Sequence, residues 1–115
     1  MGIRSSVGLA IKRDSYTSLD LVQLGKIKDL IAEADSCVQY DEGFLFVWRS
    51  IKWNPEIYQD VKDFCDVLDT LNPDDFRLVC ATPEYPSDDS ADRGNWYDNP
   101  WDLHKYSTCT LEFNN

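Results

Sequence analysis

The sequence predicts a single α+β domain that spans residues 1–115. Several stretches alternate apolar and polar residues with the two-residue period of β-strands, and two others repeat apolar residues at the three- and four-residue spacing of amphipathic helices. Glycine, proline, asparagine and aspartate separate these stretches. The hydrophobic content of 43% supports one core, and no apolar run approaches the ~20 residues that cross a bilayer, which favours a soluble globular protein.

The chain opens with a strand followed by a helix. Val7, Leu9 and Ile11 alternate with smaller or polar residues, which predicts a half-buried strand over residues 6–12. Asp20 and the glutamine three residues later match a capping box, so a helix is expected to begin there. Its apolar stripe consists of Leu24, Ile27, Leu30, Ile31 and Ala34.

A β-hairpin is predicted next, and it contains the central strand. A short strand over residues 37–40 precedes the turn Asp41-Glu42-Gly43, in which glycine can supply a positive φ. The stretch from Gly43 to Trp53 then combines aromatic and β-branched residues, which suit a pleated surface. Alternation places Phe44, Phe46 and Trp48 on one face and Leu45, Val47, Ile51 and Trp53 on the other.

A second helix and a fourth strand follow. Asn54 as N-cap and Pro55 at the first helical position predict the start of the helix, and Asn72-Pro73 its end. The apolar positions of this helix are Ile57, Val61, Phe64, Leu68 and Leu71. Phe76, Leu78 and Cys80 then alternate with Arg77, Val79 and Ala81 in the fourth strand.

The last third of the chain is predicted to be mostly loop. Residues 82–105 contain prolines, a glycine, aspartates and three large aromatics without any regular period, which predicts a long acidic loop of a kind that is often functional. Ser107, Cys109, Leu111 and Phe113 predict a C-terminal strand. The order is therefore β-α-β-β-α-β with an added C-terminal strand, which matches the ferredoxin-like plan of two helices on one face of an antiparallel sheet.

Charge is distributed unevenly along the chain. The formal net charge is −10, yet residues 1–55 contain seven acidic and seven basic residues. Residues 56–102 contain thirteen acidic residues against three basic ones, and therefore carry a net charge of −10 on their own. Because such an asymmetry costs stability through repulsion, it points to the choice of partners rather than to the fold.

The acidic residues of the second helix are spaced so that they share its exposed side. Asp60, Asp63 and Asp66 follow Glu56 at three- and four-residue spacing, and neighbours at that spacing lie about 5–6 Å apart. Two alternatives remain open: a solvated face that confers solubility, or a carboxylate row that imitates a nucleic-acid backbone. In the second alternative the row continues through Asp74, Asp75, Asp88, Asp89 and Asp92.

Three aromatic residues in the loop complete the candidate partner-binding set. Trp and Tyr often anchor protein interfaces, and Trp96, Tyr97 and Trp101 stand among acidic residues. The alternative is that the two tryptophans pin the loop onto the sheet. The predicted partner-binding residues are Glu56, Asp60, Asp63, Asp66, Asp88, Asp89, Asp92, Trp96, Tyr97 and Trp101.

The third strand bears a partial likeness to an RNA-binding pattern. The octet from Glu42 to Arg49 resembles the RNP1 segment of RNA-recognition motifs at Gly43, Phe44, Phe46 and Val47. It departs at Glu42, Leu45 and Arg49, where the pattern has a basic, a small and an aromatic residue. Since basic contacts dominate nucleic-acid affinity, we expect no direct binding of nucleic acid by this acidic chain.

No signature of catalysis or cofactor binding is present. The four cysteines are widely separated and lie on apolar segments, which favours small hydrophobic residues of a reduced core over a disulfide or metal site. His104 is the sole histidine. Aligning Gly94 with the glycine of an EF-hand places Ala91, Arg93 and Pro100 at ligand positions, so that motif does not match. We therefore expect no catalytic residues, no metal site and no cofactor.

Three segments resemble small acidic proteins of tailed bacteriophages: residues 2–10, residues 46–53, and Arg93-Gly94 after an aspartate-rich run. The resemblance implies a phage protein that acts in the bacterial host cytoplasm. We therefore expect a non-enzymatic inhibitor that binds a basic, nucleic-acid-handling host protein through a DNA-mimic-like surface. The alternative is an accessory protein–protein interaction module that uses its apolar sheet or loop. The oligomeric state stays open, with a homodimer as one option.

Overall fold

The fold is built on a four-stranded antiparallel sheet. A computed structural model describes residues 4–85, 91–105 and 111–113. The strands of the main sheet are β1 (Ser5–Lys12), β2 (Ser36–Gln39), β3 (Gly43–Ile51) and β4 (Phe76–Ala81), in the order β2-β3-β1-β4. The helices are α1 (Arg13–Thr17), α2 (Leu21–Ala32) and α3 (Gln59–Asp69), and a 3-10 turn covers Pro73–Asp75. The predicted α+β class with an antiparallel sheet is confirmed.

The strand β1 is buried on both faces rather than on one. Val7, Leu9 and Ile11 point toward the helices, as predicted. Ala10, on the other face, is also fully buried, because residues of the long loop cover that face. The half-buried strand predicted for residues 6–12 is therefore an interior strand with two buried faces.

The start of α2 is the one predicted from the sequence. The carboxylate of Asp20 accepts a hydrogen bond from the Gln23 backbone N–H at 2.8 Å, and the Gln23 side chain accepts one from the Asp20 N–H at 2.9 Å. This reciprocal capping box satisfies two of the N–H groups that a helix start leaves without partners. Ile27 and Leu30 then pack into the core between the helices and the sheet, which confirms the predicted stripe.

The second predicted helix begins later than expected. Asn54 does accept a hydrogen bond from the Glu56 N–H at 2.9 Å, but it closes a turn, and regular helix starts at Gln59. Ile57, predicted for the apolar stripe, lies in this turn and is 69% exposed. The stripe of α3 proper, formed by Val61, Phe64 and Leu68, is buried as predicted.

A β-bulge changes the faces at the end of β3. Val7 pairs with Trp48 and Ser5 with Ile51, so β3 has one extra residue between these two pairs. The extra residue reverses the alternation, and Ile51 and Trp53 therefore pack on the helix side with Trp48. The prediction that these two residues share the face of Leu45 and Val47 is wrong for that reason.

The hairpin between β2 and β3 forms as predicted, but Gly43 is required for a reason other than the predicted positive φ. Tyr40 and Gly43 exchange two backbone hydrogen bonds around the Asp41-Glu42 turn. Gly43 does not have a positive φ. A Cβ at this position would instead overlap the Ile11 carbonyl of the neighbouring strand, so close backbone approach is what requires glycine here.

The second face of the sheet is covered by the end of the chain. Trp96, Trp101 and Leu103 pack over Leu45 and Val79, with Leu111 and Phe113 at the margin. Leu111–Glu112 (β6) pairs with His104–Lys105 (β5) in a separate two-stranded sheet, so the added C-terminal strand does not extend the main sheet. Ser107 and Cys109, predicted for that strand, lie outside the described residues. In the described part of the chain, no helix is both long and apolar enough to cross a membrane.

Candidate protein-binding surface

The exposed side of α3 carries the predicted carboxylate row. Asp60, Asp66 and Asp69 are exposed and Asp63 is half-buried, whereas the opposite side of the helix packs into the core. The amphipathic pattern produces this division, because the apolar residues fix one side against the sheet and leave the other to solvent. Glu56 is exposed in the turn before the helix.

Basic side chains neutralise part of this row. Lys62 Nζ lies 2.9 Å from an oxygen of Asp66, and this hydrogen bond raises the pKa of the lysine. Arg93 Nη1 contacts Asp69 at 2.5 Å. The four carboxylates of α3, from Asp60 to Asp69, and the cations of Lys62 and Arg93 sum to a formal charge of −2. Glu56 brings this sum to −3. We define the α3 acidic surface as Asp60, Asp63 and Asp66 on the helix, together with Glu56 in the turn before it.

Asp92 does not belong to that surface. Its side chain is 11% exposed, accepts a hydrogen bond from the Cys80 backbone N–H at 2.9 Å and lies 3.8 Å from Arg77 Nη2. Asp92, which is one of the predicted partner-binding residues, therefore ties the loop to the edge of β4. Asp75, predicted to continue the row, instead lies 3.5 Å from Lys12 Nζ and accepts a hydrogen bond from Ser15.

The two tryptophans of the loop are core residues. Trp101 is fully buried and Trp96 is 8% exposed, with their rings in edge contact at 6.2 Å. Asn99 braces this segment, since its side chain donates to the Trp96 carbonyl at 2.9 Å and accepts from the Leu103 N–H at 3.0 Å. This geometry matches the alternative in which the two tryptophans hold the loop against the sheet. Both rings are covered by protein.

Tyr97 is the one member of the predicted aromatic set that faces solvent. It is 64% exposed, and the Arg77 guanidinium stacks on its ring at 4.8 Å. Asp88 and Asp89 lie outside the described residues. Of the ten predicted partner-binding residues, Asp60, Asp63 and Asp66 lie on α3, Glu56 is exposed in the turn before it, and Tyr97 is exposed in the loop after β4.

One exposed residue beside the acidic surface was not predicted. Ile57 follows Glu56 directly and is 69% exposed, so it offers an apolar contact next to the carboxylates. Its spacing of four residues from Val61 predicted that it lies in the buried stripe of the helix. Because α3 begins only at Gln59, Ile57 lies in the preceding turn and is exposed. The structure also exposes Leu21 (86%) and Val22 (70%) in the first turn of α2.

A cleft of about 440 Å³ opens beside Glu56, and its chemistry does not point to catalysis by a thiol. Trp53, Pro55, Cys65, Cys80 and Arg93 are among the residues that line it. Burial raises the pKa of the Cys65 thiol to about 11, so this group is protonated at neutral pH and is a poor nucleophile. Within residues 4–85, 91–105 and 111–113, no three His, Cys, Asp or Glu side chains cluster as metal ligands.

The aromatic residues of β3 form no platform for bases. Phe44, Phe46 and Trp48 face the helices, where Trp48 contacts Trp53 and Phe64 at ring separations of 5.8 and 5.7 Å. The opposite face is covered by Trp96, Trp101 and Leu103. Stacking of bases on an open sheet, as in RNA-recognition motifs, is therefore blocked on both faces.

The cysteines are divided between core and surface. Cys65 and Cys80 are buried, as predicted for small hydrophobic residues, whereas Cys37 on β2 is exposed, so the prediction fails there. Cys109 lies outside the described residues.

Comparison of the chain with protein-family models, with curated protein sequences and with solved structures finds no match.

Proposed function

We propose that this chain is a non-enzymatic protein that binds a basic surface of a nucleic-acid-handling protein through the α3 acidic surface. The observation that carries the proposal is the position of the exposed Asp60 and Asp66 and the half-buried Asp63 on the side of α3 that faces away from the core, with Lys62 as the one basic residue of that helix. Like charges at this spacing destabilise a helix, so helix stability does not account for them. A basic partner relieves that repulsion on binding.

The spacing of the carboxylates is compatible with imitation of a phosphate backbone. Steps of three residues advance a helix by about 4.5 Å, against ~3.4 Å per phosphate along one DNA strand. Long-range attraction between the acidic surface and a basic partner speeds encounter, and Ile57 supplies apolar contact after encounter. Inhibition follows if the partner uses the same basic surface for nucleic acid.

The resemblance to small acidic proteins of tailed bacteriophages supports a phage origin and action in the bacterial host cytoplasm. For the fold, we propose the ferredoxin-like plan. Support comes from the β-α-β-β-α-β order of the main elements and from the strand order β2-β3-β1-β4 with antiparallel neighbours throughout.

The test measures capture of basic proteins from a bacterial lysate by the immobilised chain at increasing salt, with duplex DNA as competitor. The variant Asp60→Asn/Asp63→Asn/Asp66→Asn is compared with Asp29→Asn/Glu33→Gln/Asp41→Asn, which removes the same three charges from exposed sites in the neutral half. We expect the first variant and the competitor each to abolish capture, and the second variant to retain it.

Salt dependence provides a second criterion. We expect capture to fall about tenfold or more between roughly 50 and 200 mM salt, because exposed charges are increasingly screened over that range. Capture that is indifferent to salt, or that survives in the α3 variant, would refute the proposal.

A second candidate function is an accessory module that binds its partner through apolar contacts, its charge serving solubility alone. The exposure of Leu21 and Val22 in α2 favours this candidate. The same experiment separates the two, because the module keeps its partner when the α3 carboxylates are neutralised and loses it in Leu21→Ser/Val22→Ser.

A further inference from the structure

The two edges of the main sheet are treated differently by the rest of the chain. Along β4, Leu78 and Arg93 exchange backbone hydrogen bonds of 2.7 and 3.0 Å, Asp92 accepts from the Cys80 N–H, and the Phe76 carbonyl accepts from Trp96. The loop therefore covers this edge and satisfies its backbone groups. No described residue covers the outer edge of β2 in this way.

The backbone groups on the outer edge of β2 belong to Cys37 and Gln39. Tyr40 and Gly43 form a hydrogen-bonded pair, and such pairs alternate with non-bonded ones along an antiparallel ladder. Val38 therefore bonds inward to β3, whereas the N–H and C=O groups of Cys37 and Gln39 point outward. An edge of this kind is a template for another strand, and natural proteins usually protect it with charge, proline or a bulge. β2 has none of these between Ser36 and Gln39.

A second copy of the same strand fits this edge. In an antiparallel arrangement with its twofold axis at Val38, Cys37 of each copy pairs with Gln39 of the other, and all four outward groups of each strand are satisfied. The two Val38 side chains then meet on the sheet face that Trp96, Trp101 and Leu103 cover, where Val38 already packs against the buried cluster that contains these residues. The pairing extends that apolar surface across the twofold axis.

Charge favours this edge over other surfaces for self-association. The excess of −10 lies in residues 56–102, whereas residues 1–55, which contain β2, are neutral overall. Asp35 and Asp41 flank β2 and are exposed, so like charges at the ends of the paired strands oppose the pairing. Arg13, whose guanidinium donates to the Tyr40 and Asp41 carbonyls, supplies a cation at the Asp41 end.

We infer that two copies of this chain associate through antiparallel pairing of their β2 edges, centred on Val38, to form an eight-stranded sheet. The pairing is short, and it belongs to the small, weak class of interfaces, for which we expect a dissociation constant of roughly 10⁻⁵ to 10⁻³ M. This inference is independent of the proposed partner.

Sedimentation equilibrium in reducing buffer, at concentrations up to about 1 mM, tests the association, and amide hydrogen exchange tests its site. We expect the apparent mass to rise up to twofold from 13.3 kDa. Exchange at the Cys37 and Gln39 amides is expected to slow several-fold with concentration, while that at Val38 does not change. This alternation of slowed and unchanged amide exchange along β2 is specific to strand pairing at the edge.

Two variants separate edge pairing from other modes. Cys37→Pro removes an outward N–H without removing a hydrogen bond to β3, and is expected to remain monomeric with an unchanged circular dichroism spectrum. Cys37→Ser keeps the N–H and is expected to dimerise like the wild type, which excludes a disulfide. Val38→Lys, which sets two like charges opposite each other, is expected to remain monomeric as well. A wild-type mass of 13.3 kDa throughout, or a dimer that survives both Cys37→Pro and Val38→Lys, would overturn the inference.

Discussion

Replacing Trp101 tests whether the loop after β4 is part of the core or a surface appendage. Trp101 is fully buried against Leu45 and Val79 of the sheet, and its ring lies 5.3 Å from that of Tyr40. Among the residues that the structure describes, nothing accepts a hydrogen bond from its indole Nε1. The substitution Trp101→Ala should therefore remove apolar burial without breaking a hydrogen bond.

The expected magnitude follows from these two features. Burial of about 200–250 Å² at roughly 25 cal/mol/Å² contributes about 5–6 kcal/mol. The unpartnered N–H costs about 1–3 kcal/mol in the folded state, and alanine relieves that cost. Trp101→Ala should thus lower the free energy of unfolding by roughly 2–5 kcal/mol, a large fraction of the about 5–15 kcal/mol typical of a domain.

The substitution Trp101→Phe provides a sharper comparison with Trp48→Phe. Trp48 is also buried, but its Nε1 donates to the Leu30 carbonyl at 2.8 Å. Both variants lose a similar area. Trp101→Phe removes a buried N–H that has no acceptor, so we expect its free energy of unfolding to stay within about 1 kcal/mol of the wild type. Trp48→Phe breaks a hydrogen bond, so we expect it to lower the free energy of unfolding by about 2 kcal/mol.

Urea unfolding followed by far-ultraviolet circular dichroism measures these differences, with the slope of the transition as a check on two-state behaviour. A loss below about 1 kcal/mol for Trp101→Ala would show that the loop contributes little to the core, against the burial argument. Equal losses in the two phenylalanine variants would contradict the assignment of the indole hydrogen bonds.

Three further outcomes are expected. Gly43→Ala should destabilise the protein by about 1–3 kcal/mol because its Cβ overlaps a carbonyl of β1, whereas Gly25→Ala, with open space in a helix, should stabilise it by about 0.5–1 kcal/mol; the contrast in urea midpoints checks both. Asp92→Asn should lower the free energy of unfolding by about 1–3 kcal/mol in the same assay, because Asp92 holds the loop to β4. An equal loss for Asp60→Asn, at an exposed site, would contradict that structural role of Asp92. Burial raises the pKa of Cys65 from 9.0 to about 11, so the unfolded chain ionises at a lower pH than the folded protein, and the free energy of unfolding should fall as the pH rises from 9 to 11. Cys65→Ala should lose less stability over that pH range. Equal losses in both proteins would exclude the thiol as the cause.

Local patterns determined much of the fold. The alternation in β1 and β4, the hairpin and the capping box of Asp20 were all predictable, because each depends on neighbouring residues and on a fixed backbone period. The acidic side of α3 was predictable for the same reason. The late start of that helix was not, because the Asn54 side chain closes a turn that is followed by extended backbone at Tyr58 before α3 begins.

Sequence alone thus determined the α+β class, the order of the main elements and the position of the charge. The tertiary structure decided which side chains are exposed: Trp96 and Trp101 are covered, Asp92 is tied to β4, and Ile57 faces solvent. The same loop covers the β4 edge of the sheet, whereas no residue in the described ranges covers the β2 edge. These outcomes depend on contacts between segments far apart in the chain, and such contacts leave no periodic signal in either segment.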